Sequence, residues 1–428
     1  MHVLKKQLTQ MQEVHVASSS ATGSRTAYGL LVFGLLLLVF VAEQATAGSR
    51  EQAKRMHERL TGVTPTEAVL QQMVSLIDNN QAETAARIAM DHEAFYAVTI
   101  KNWAAPWTNR DQDVFVPLND YIATVIGLVR DGDTGADFRE LLYGDVAYIS
   151  TQANANYSPA NNNHYEEIED EGLSMGSTST FVRRTQSELN PELPAEATAG
   201  VMTSRAAAKA FFIAGTNRAM FRFTLLNHTC RDLEQVQDGS RSPDRIRQDV
   251  SRSPGGDSRV FLNNCITCHS GMDPLAQAFA YYDYEFPGED VEAGSIRYNA
   301  AGETDPATGT RVESKYFNNN TTFPFGFVTP NDNWSNYWRN GRNSLLGWDA
   351  NLTGSGSGAK SMGMELAHSQ AFAQCQVEKA FSAVCLREPG NAADRTRVSS
   401  ILSDIAGNNG VINMKQVFAQ TADYCKGN

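Results

Sequence analysis

Apolar side chains between residues 51 and 145 recur every three to four positions, the period of helices with one buried face. Glu51–Leu60 reads as a basic amphipathic helix. Thr64-Pro65-Thr66-Glu67 reads as a capping box with Pro at the first helical position, opening a helix through Ile77. Gln81–Lys101 continues with Ala-rich helical spacing, and Asn119 caps a helix over Asp120–Arg130. The acidic run Asp131–Asp137 lacks the ligand order of a calcium loop and reads as a capped turn. Periodicity then fails over 152–198, where ANANYSPANNNHYEEIEDEG gives way to Ser/Thr and Pro clusters, the composition of a loop.

Helical spacing returns over Ser204–Cys230, with a break near Gly215–Arg218, and residues 233–257 are a polar linker or surface excursion holding Pro243 and Pro254. Gly255–Ser258 is a turn and helix start that leads through Val260, Phe261 and Ile266, after which Asp273 and Pro274 read as N-cap and first residue of another helix, PLAQAFAYYDY. From 285 to 358 the chain is Gly/Asn/Thr-rich and irregular, and Trp334, Trp338 and Trp348 read as core packing. The GSGSG loop (354–358) precedes a helix over Lys360–Leu386, and a last helix surrounds Met414–Tyr424. These elements predict a mainly α protein: an N-terminal helical domain (48–151), a linker (152–198) and a second helical domain with long irregular loops (199–428).

The first residues carry a different pattern. Lys5, Lys6 and Arg25 precede a charge-free run from Gly29 to Ala42, followed by the small-x-small site Ala45-Thr46-Ala47. This predicts a signal peptide over 1–47 and a periplasmic or otherwise exported chain with no membrane span after cleavage; the alternative is an uncleaved N-terminal anchor. Fourteen apolar residues fall short of the roughly 20 that a spanning helix needs. Net charge is −12 with no Lys/Arg cluster, which argues against a nucleic-acid partner.

Export makes the six cysteines informative. Cys265-Ile-Thr-Cys268-His269 is C-x-x-C-H, the attachment signature of a c-type haem. Two thiols three apart on one helical turn reach the two vinyl groups of a porphyrin edge, and the following His269 supplies the proximal iron ligand. A C-x-x-C disulfide or half of a zinc site are the alternatives, though no further Cys or His follows at zinc spacing. Only one such motif occurs, so the chain carries one haem c. Met272 lies on the proximal side, and candidates for the distal ligand are Met364 or Met362, then His368, another residue or an open site. The remaining cysteines, Cys230, Cys375, Cys385 and Cys425, suffice for two disulfides. Cys375 and Cys385 sit ten residues apart on one helix, about 15 Å along its axis. They cannot pair with each other and look to Cys230 and Cys425.

CITCHSGMDPLAQAFAYYDY resembles the C-x-x-C-H-x-x-M-D-P-L block of the large planctomycete-type cytochrome c families. MHERLTGVTPT, DFRELLYGDVAYIS, AGVMTS with GTNRAMFRFTLLNHTC, and LAHSQAFAQCQVEKAFSAVCLR resemble their other blocks, in the same order. The resemblance implies that Cys265, Cys268 and His269 attach and ligate haem, with Asp273 and Pro274 as the turn that follows. The Gly-Phe-Ala-Leu-Glu of those families is Ala276-Gln277-Ala278-Phe279-Ala280 here, so any role of that Glu does not transfer. The resemblance brings no reaction. The chain therefore reads as an electron carrier serving a redox partner protein. The alternatives are a haem enzyme or ligand-binding protein with an open distal site, and a structural or assembly component. No catalytic nucleophile, base or nucleotide-binding motif is present.

Overall fold

The computed structural model describes residues 47–427; the expected leader with its apolar run Gly29–Ala42 lies outside the described residues. Helix accounts for 54% and strand for 6%, so the fold is mainly α as the periodicity predicts. The first helices are α1 (Ser49–Thr61), α2 (Glu67–Asp78) and α3 (Ala82–Met90). The N-cap of α2 is Thr66, whose hydroxyl accepts from the Val69 N–H, while Thr64 instead donates to Glu58. Pro65 thus precedes the cap rather than opening the helix. The expected helix over 81–101 is interrupted at Asp91–His92 before a wide turn, Phe95–Ile100, carries the chain on.

Helix α4 (Asp120–Arg130) is the centre of the molecule. All its residues are buried, which its sequence DYIATVIGLVR permits because only the two ends are charged. Those ends are satisfied from elsewhere in the chain. The Asp120 carboxylate accepts the N–H groups of Arg205 (2.5 Å) and Ala206 (3.0 Å), and Arg130 pairs with Asp131.

Residues 152–198, read as a linker, instead hold α5 (Asn163–Asp170) and a strand. Strand β1 (Ala147–Ser150) pairs antiparallel with β2 (Phe181–Arg184). Tyr165, Ile168, Met175, Phe181 and Leu193 from this stretch are buried in the same core as the helices on either side, and Gly48–Asn428 forms one compact unit. The polar bias of the segment reflects its exposed positions, while its large apolar side chains are buried or half-buried.

Helices α6 (Arg205–Phe211) and α7 (Arg218–Thr229) flank the expected break, and α8 (Ile266–Ala276) follows. The predicted helix PLAQAFAYYDY does not form. After one tight turn, Gln277–Phe279, the chain enters strand β3 (Tyr282–Glu285), antiparallel to β4 (Ser295–Tyr298). The aromatic run suits a strand, where Tyr282 and Tyr298 face each other with ring centroids 4.8 Å apart. A third hairpin pairs β5 (Asn333–Ser335) with β6 (Ser355–Ser357), so part of the GSGSG stretch is strand. Trp334 and Trp338 are buried, as core packing predicts.

The expected helix over 360–386 is two, α9 (Gly358–Ala367) and α10 (Gln370–Cys385), divided where Ser369 caps α10 by accepting from the Phe372 N–H. Helix α11 (Ala392–Gly407), opened by a capping box at Asn391 and Asp394, and α12 (Met414–Cys425) complete the fold. Helix α12 packs on α3 and α10, closing the C-terminus onto the first helices. Phe95 and Trp103 meet Phe418 at 5.4 and 5.5 Å. Disulfides join Cys230 to Cys375 and Cys385 to Cys425, linking α7 to α10 and α10 to α12. These are the partners that the one-helix argument requires for Cys375 and Cys385.

Helix α9 packs on the Phe138–Leu142 turn at Gly363, where an added Cβ would lie 1.8 Å from the Leu142 carbonyl oxygen. Backbone cannot rotate aside as a side chain can. Gly363→Ala is expected to destabilise the fold by about 1–3 kcal/mol, despite the roughly 1 kcal/mol that Ala gains in helix propensity, as read from urea unfolding midpoints.

Candidate functional site

A wide helical turn, Phe261–Cys265, runs directly into α8. Cys265, Cys268 and His269 therefore lie in continuous helix at spacings of three and four residues, which puts them on one face. Both thiols are free and half-buried, whereas the other four cysteines are paired. Burial pushes the Cys268 thiol up, and its sulfur faces the Leu233 carbonyl at 3.7 Å. The C-x-x-C pair is thus not a disulfide in this fold. Among the described residues no three His, Cys, Asp or Glu side chains gather into a metal-holding group, so the thiols lack the further ligands of a structural zinc.

Beside the cysteines lies a small apolar cluster separate from the main core. Ile246, Val250 and Phe261 are buried there, with Cys265 and Ile266 packed against them. The Arg252 guanidinium sits 4.8 Å from the Phe261 ring centroid and 4.2 Å from that of Phe323. Val260 and Leu262, on the same turn, stay exposed. The apolar surface around these cysteines is more than this small cluster can cover.

Sequence reasoning takes Asp273 for a helix cap, and the structure corrects this. Helix α8 runs unbroken through Pro274, so Asp273 sits one turn beyond His269 in the helix interior. Its side chain is fully buried, and both its oxygens lie within hydrogen-bond reach of His269 Nδ1, at 3.1 and 3.2 Å. A carboxylate can only accept, so Nδ1 carries the proton of this hydrogen bond, and in the neutral ring the lone pair is on Nε2. The same carboxylate forms a two-pronged ion pair with Arg218 at the start of α7 (Nε to Oδ1 2.7 Å, Nη2 to Oδ2 3.0 Å). Arg218 is held in turn by Asp249 (2.5 and 3.0 Å). Burial alone would push the Asp273 carboxyl up, but Arg218 and His269 outweigh it and hold it well below the usual carboxylate range. Asp249 is likewise held down by Arg218 against its burial.

No local pattern in the sequence ties Arg218 or Asp249 to Asp273, from which they lie 55 and 24 positions away. The one local signal was the i, i+4 spacing of His269 and Asp273. The excursion over 233–257 that supplies Asp249 is no free linker, since Arg247 within it is buried and donates to the Thr216 carbonyl at 3.1 Å. Helix α8 is seated on its other side by Gly271, where a Cβ would meet Trp338 Nε1 at 2.0 Å.

Met362 and Met364 lie on α9 and His368 caps its C-terminus; α9 packs against the Phe138–Leu142 turn and the Gln277–Phe279 turn. Met362 is fully buried in the main core and Met364 is half-buried. His368 Nδ1 lies 2.9 Å from the Met364 carbonyl, and its ring tilts over Tyr143. Among the described residues no hydrogen bond or ring contact joins any of the three to His269. A separate cavity of about 860 Å³ is lined by Trp103, Trp107, Cys230, Arg231 and Lys379, and none of the C-x-x-C-H residues lines it. Burial pushes the Lys379 amine there down to about 7.

The donor set fits a c-type haem. It offers two free thiols one turn apart, an imidazole whose Nε2 has no hydrogen-bond partner among the described residues, and apolar surface at the same place.

Because the carboxyls of Asp273 and Asp249 hold their protons less tightly folded than unfolded, the stability they confer is full above the ordinary Asp range near 4 and is lost as pH falls through and below it. Urea midpoints are expected to drop between pH 6 and pH 3, and Arg218→Ala, which leaves two carboxylates without their cation, to cost about 3–5 kcal/mol at pH 7. The chain matches no family model, no curated protein and no solved structure.

Proposed function

We propose that the protein is an exported monohaem c-type cytochrome that passes electrons to a redox partner protein. Cys265 and Cys268 would hold the haem as thioethers, and His269 Nε2 would ligate its iron. The observation that carries this reading is the pair of free thiols one helical turn apart, followed at once by an imidazole with its Nε2 lone pair available, in a chain whose other cysteines are all paired. When bound, the haem supplies a one-electron couple between ferric and ferrous iron. The chain's part is to fix it. The cysteines would hold the haem, the Ile246/Val250/Phe261 cluster beside Cys265 would offer it apolar surface, and Asp273 orients the imidazole through Nδ1. Met364 or Met362 is the proposed distal ligand; Met364, being half-buried, needs the smaller rearrangement to leave its packing.

The test is an absorption spectrum of the exported chain, oxidised, dithionite-reduced, and reduced with carbon monoxide. A sharp reduced α-band unmoved by carbon monoxide is expected for an electron carrier with two firm axial ligands. A shifted band would instead place an open or labile iron in the site and favour the ligand-binding alternative. Absence of any haem band would overturn the proposal.

Cys265→Ala/Cys268→Ala protein is expected to lose covalent haem, read from intact mass after denaturation. His269→Ala is expected to keep the thioethers but lose the normal spectrum.

A further inference from the structure

We infer that Asp273 is a positioning residue for the iron ligand, a buried carboxylate that makes His269 a stronger electron donor and so lowers the reduction potential of the site. The inference rests on the haem reading above and deepens it. Four observations meet at this residue. Asp273 stands one helical turn from His269, the distance at which two side chains on a helix touch. Both of its oxygens reach Nδ1, and none of its side chain is open to solvent. Arg218 fixes the carboxylate plane from behind through two hydrogen bonds, so it cannot swing away. Asp249 and the buried Thr216–Arg247 contact hold Arg218 and its surroundings in turn.

A neutral hydrogen-bond acceptor at Nδ1 would only orient the ring. A carboxylate does more, because the proton it attracts leaves electron density on the ring and raises the donor strength of Nε2. A stronger donor stabilises ferric over ferrous iron. Arg218 draws some of that negative charge to itself, yet Asp249 returns part of it by sharing the same guanidinium. The arrangement keeps a carboxylate buried beside the ligand without leaving it unpaired, which burial alone would not allow.

The experiment compares haem-loaded wild-type chain with Asp273→Asn, Asp273→Glu and Asp249→Asn, made in cells that attach haem c. Covalent haem is scored first, by mass, and midpoint potential second, by titration against mediators. Wild-type chain without covalent haem would sink the functional reading itself and this inference with it. With haem attached, Asp273→Asn is expected to shift the midpoint upward, Asp273→Glu to bring it back toward wild type, and Asp249→Asn to shift it less. An unchanged potential in Asp273→Asn overturns the inference, and so does an equal shift in Asp249→Asn, which would show a general charge effect. Should Asp273→Asn fail to fold, nitrogen NMR of the wild-type chain without haem decides: a proton on His269 Nδ1 supports the inference, and one on Nε2 overturns it.

Discussion

One half-buried guanidinium organises the half of the molecule that contains the C-x-x-C-H helix. Arg218 opens α7, and its two carboxylate partners come from α8 and from the excursion before it. Three stretches far apart in sequence are thereby locked to one planar group. Neither carboxylate tolerates burial without that cation, and the cation does not tolerate it without them. The result is less a source of net stability than a condition on geometry: if the three segments approach in any other arrangement, at least one charge is left unpaired in the interior. Gly271 adds the second constraint on α8, because only a residue without Cβ lets the helix lie on Trp338.

How far the sequence could be read depends on where each signal resides. Helices with one apolar face or a local cap were legible: α1, α4, α7 and α12 fall where periodicity, Asn119 or flanking turns put them. The stretch 152–198 looked like a loop because its buried residues, Tyr165, Ile168 and Phe181, are too sparse for any period to show. PLAQAFAYYDY looked helical because Ala-rich spacing cannot report that Tyr282 and Tyr298 would be cross-strand neighbours. Asp273-Pro274 carried a strong cap signal, and it was overridden by an ion pair with a residue 55 positions upstream. Propensity is local; that ion pair is not.

The same division applies to the candidate site. Cys265, Cys268 and His269 were legible because their chemistry depends on spacing within one turn. The group that orients His269 was mistaken for a cap, and the groups that hold that one in place left no trace in the sequence. Such supports are assembled by topology, so they become visible only once α7, the 233–257 excursion and α8 are packed together.

The disulfides carry a consequence for how the chain must mature. On the export proposed above, thiols would enter an oxidising compartment in the order Cys230, Cys265, Cys268, Cys375, Cys385 and Cys425. Pairing each with the next to arrive would join Cys230 to Cys265 and Cys268 to Cys375. The native bonds skip the motif entirely: Cys230 waits through 145 residues for Cys375, while two thiols appear in between and must be left alone. Correct maturation is therefore an ordering problem, in which either the motif is sealed before general oxidation reaches it or early wrong bonds are reshuffled. Of the two bridges, Cys385–Cys425 is spared this hazard, since no other cysteine lies within its 40-residue loop.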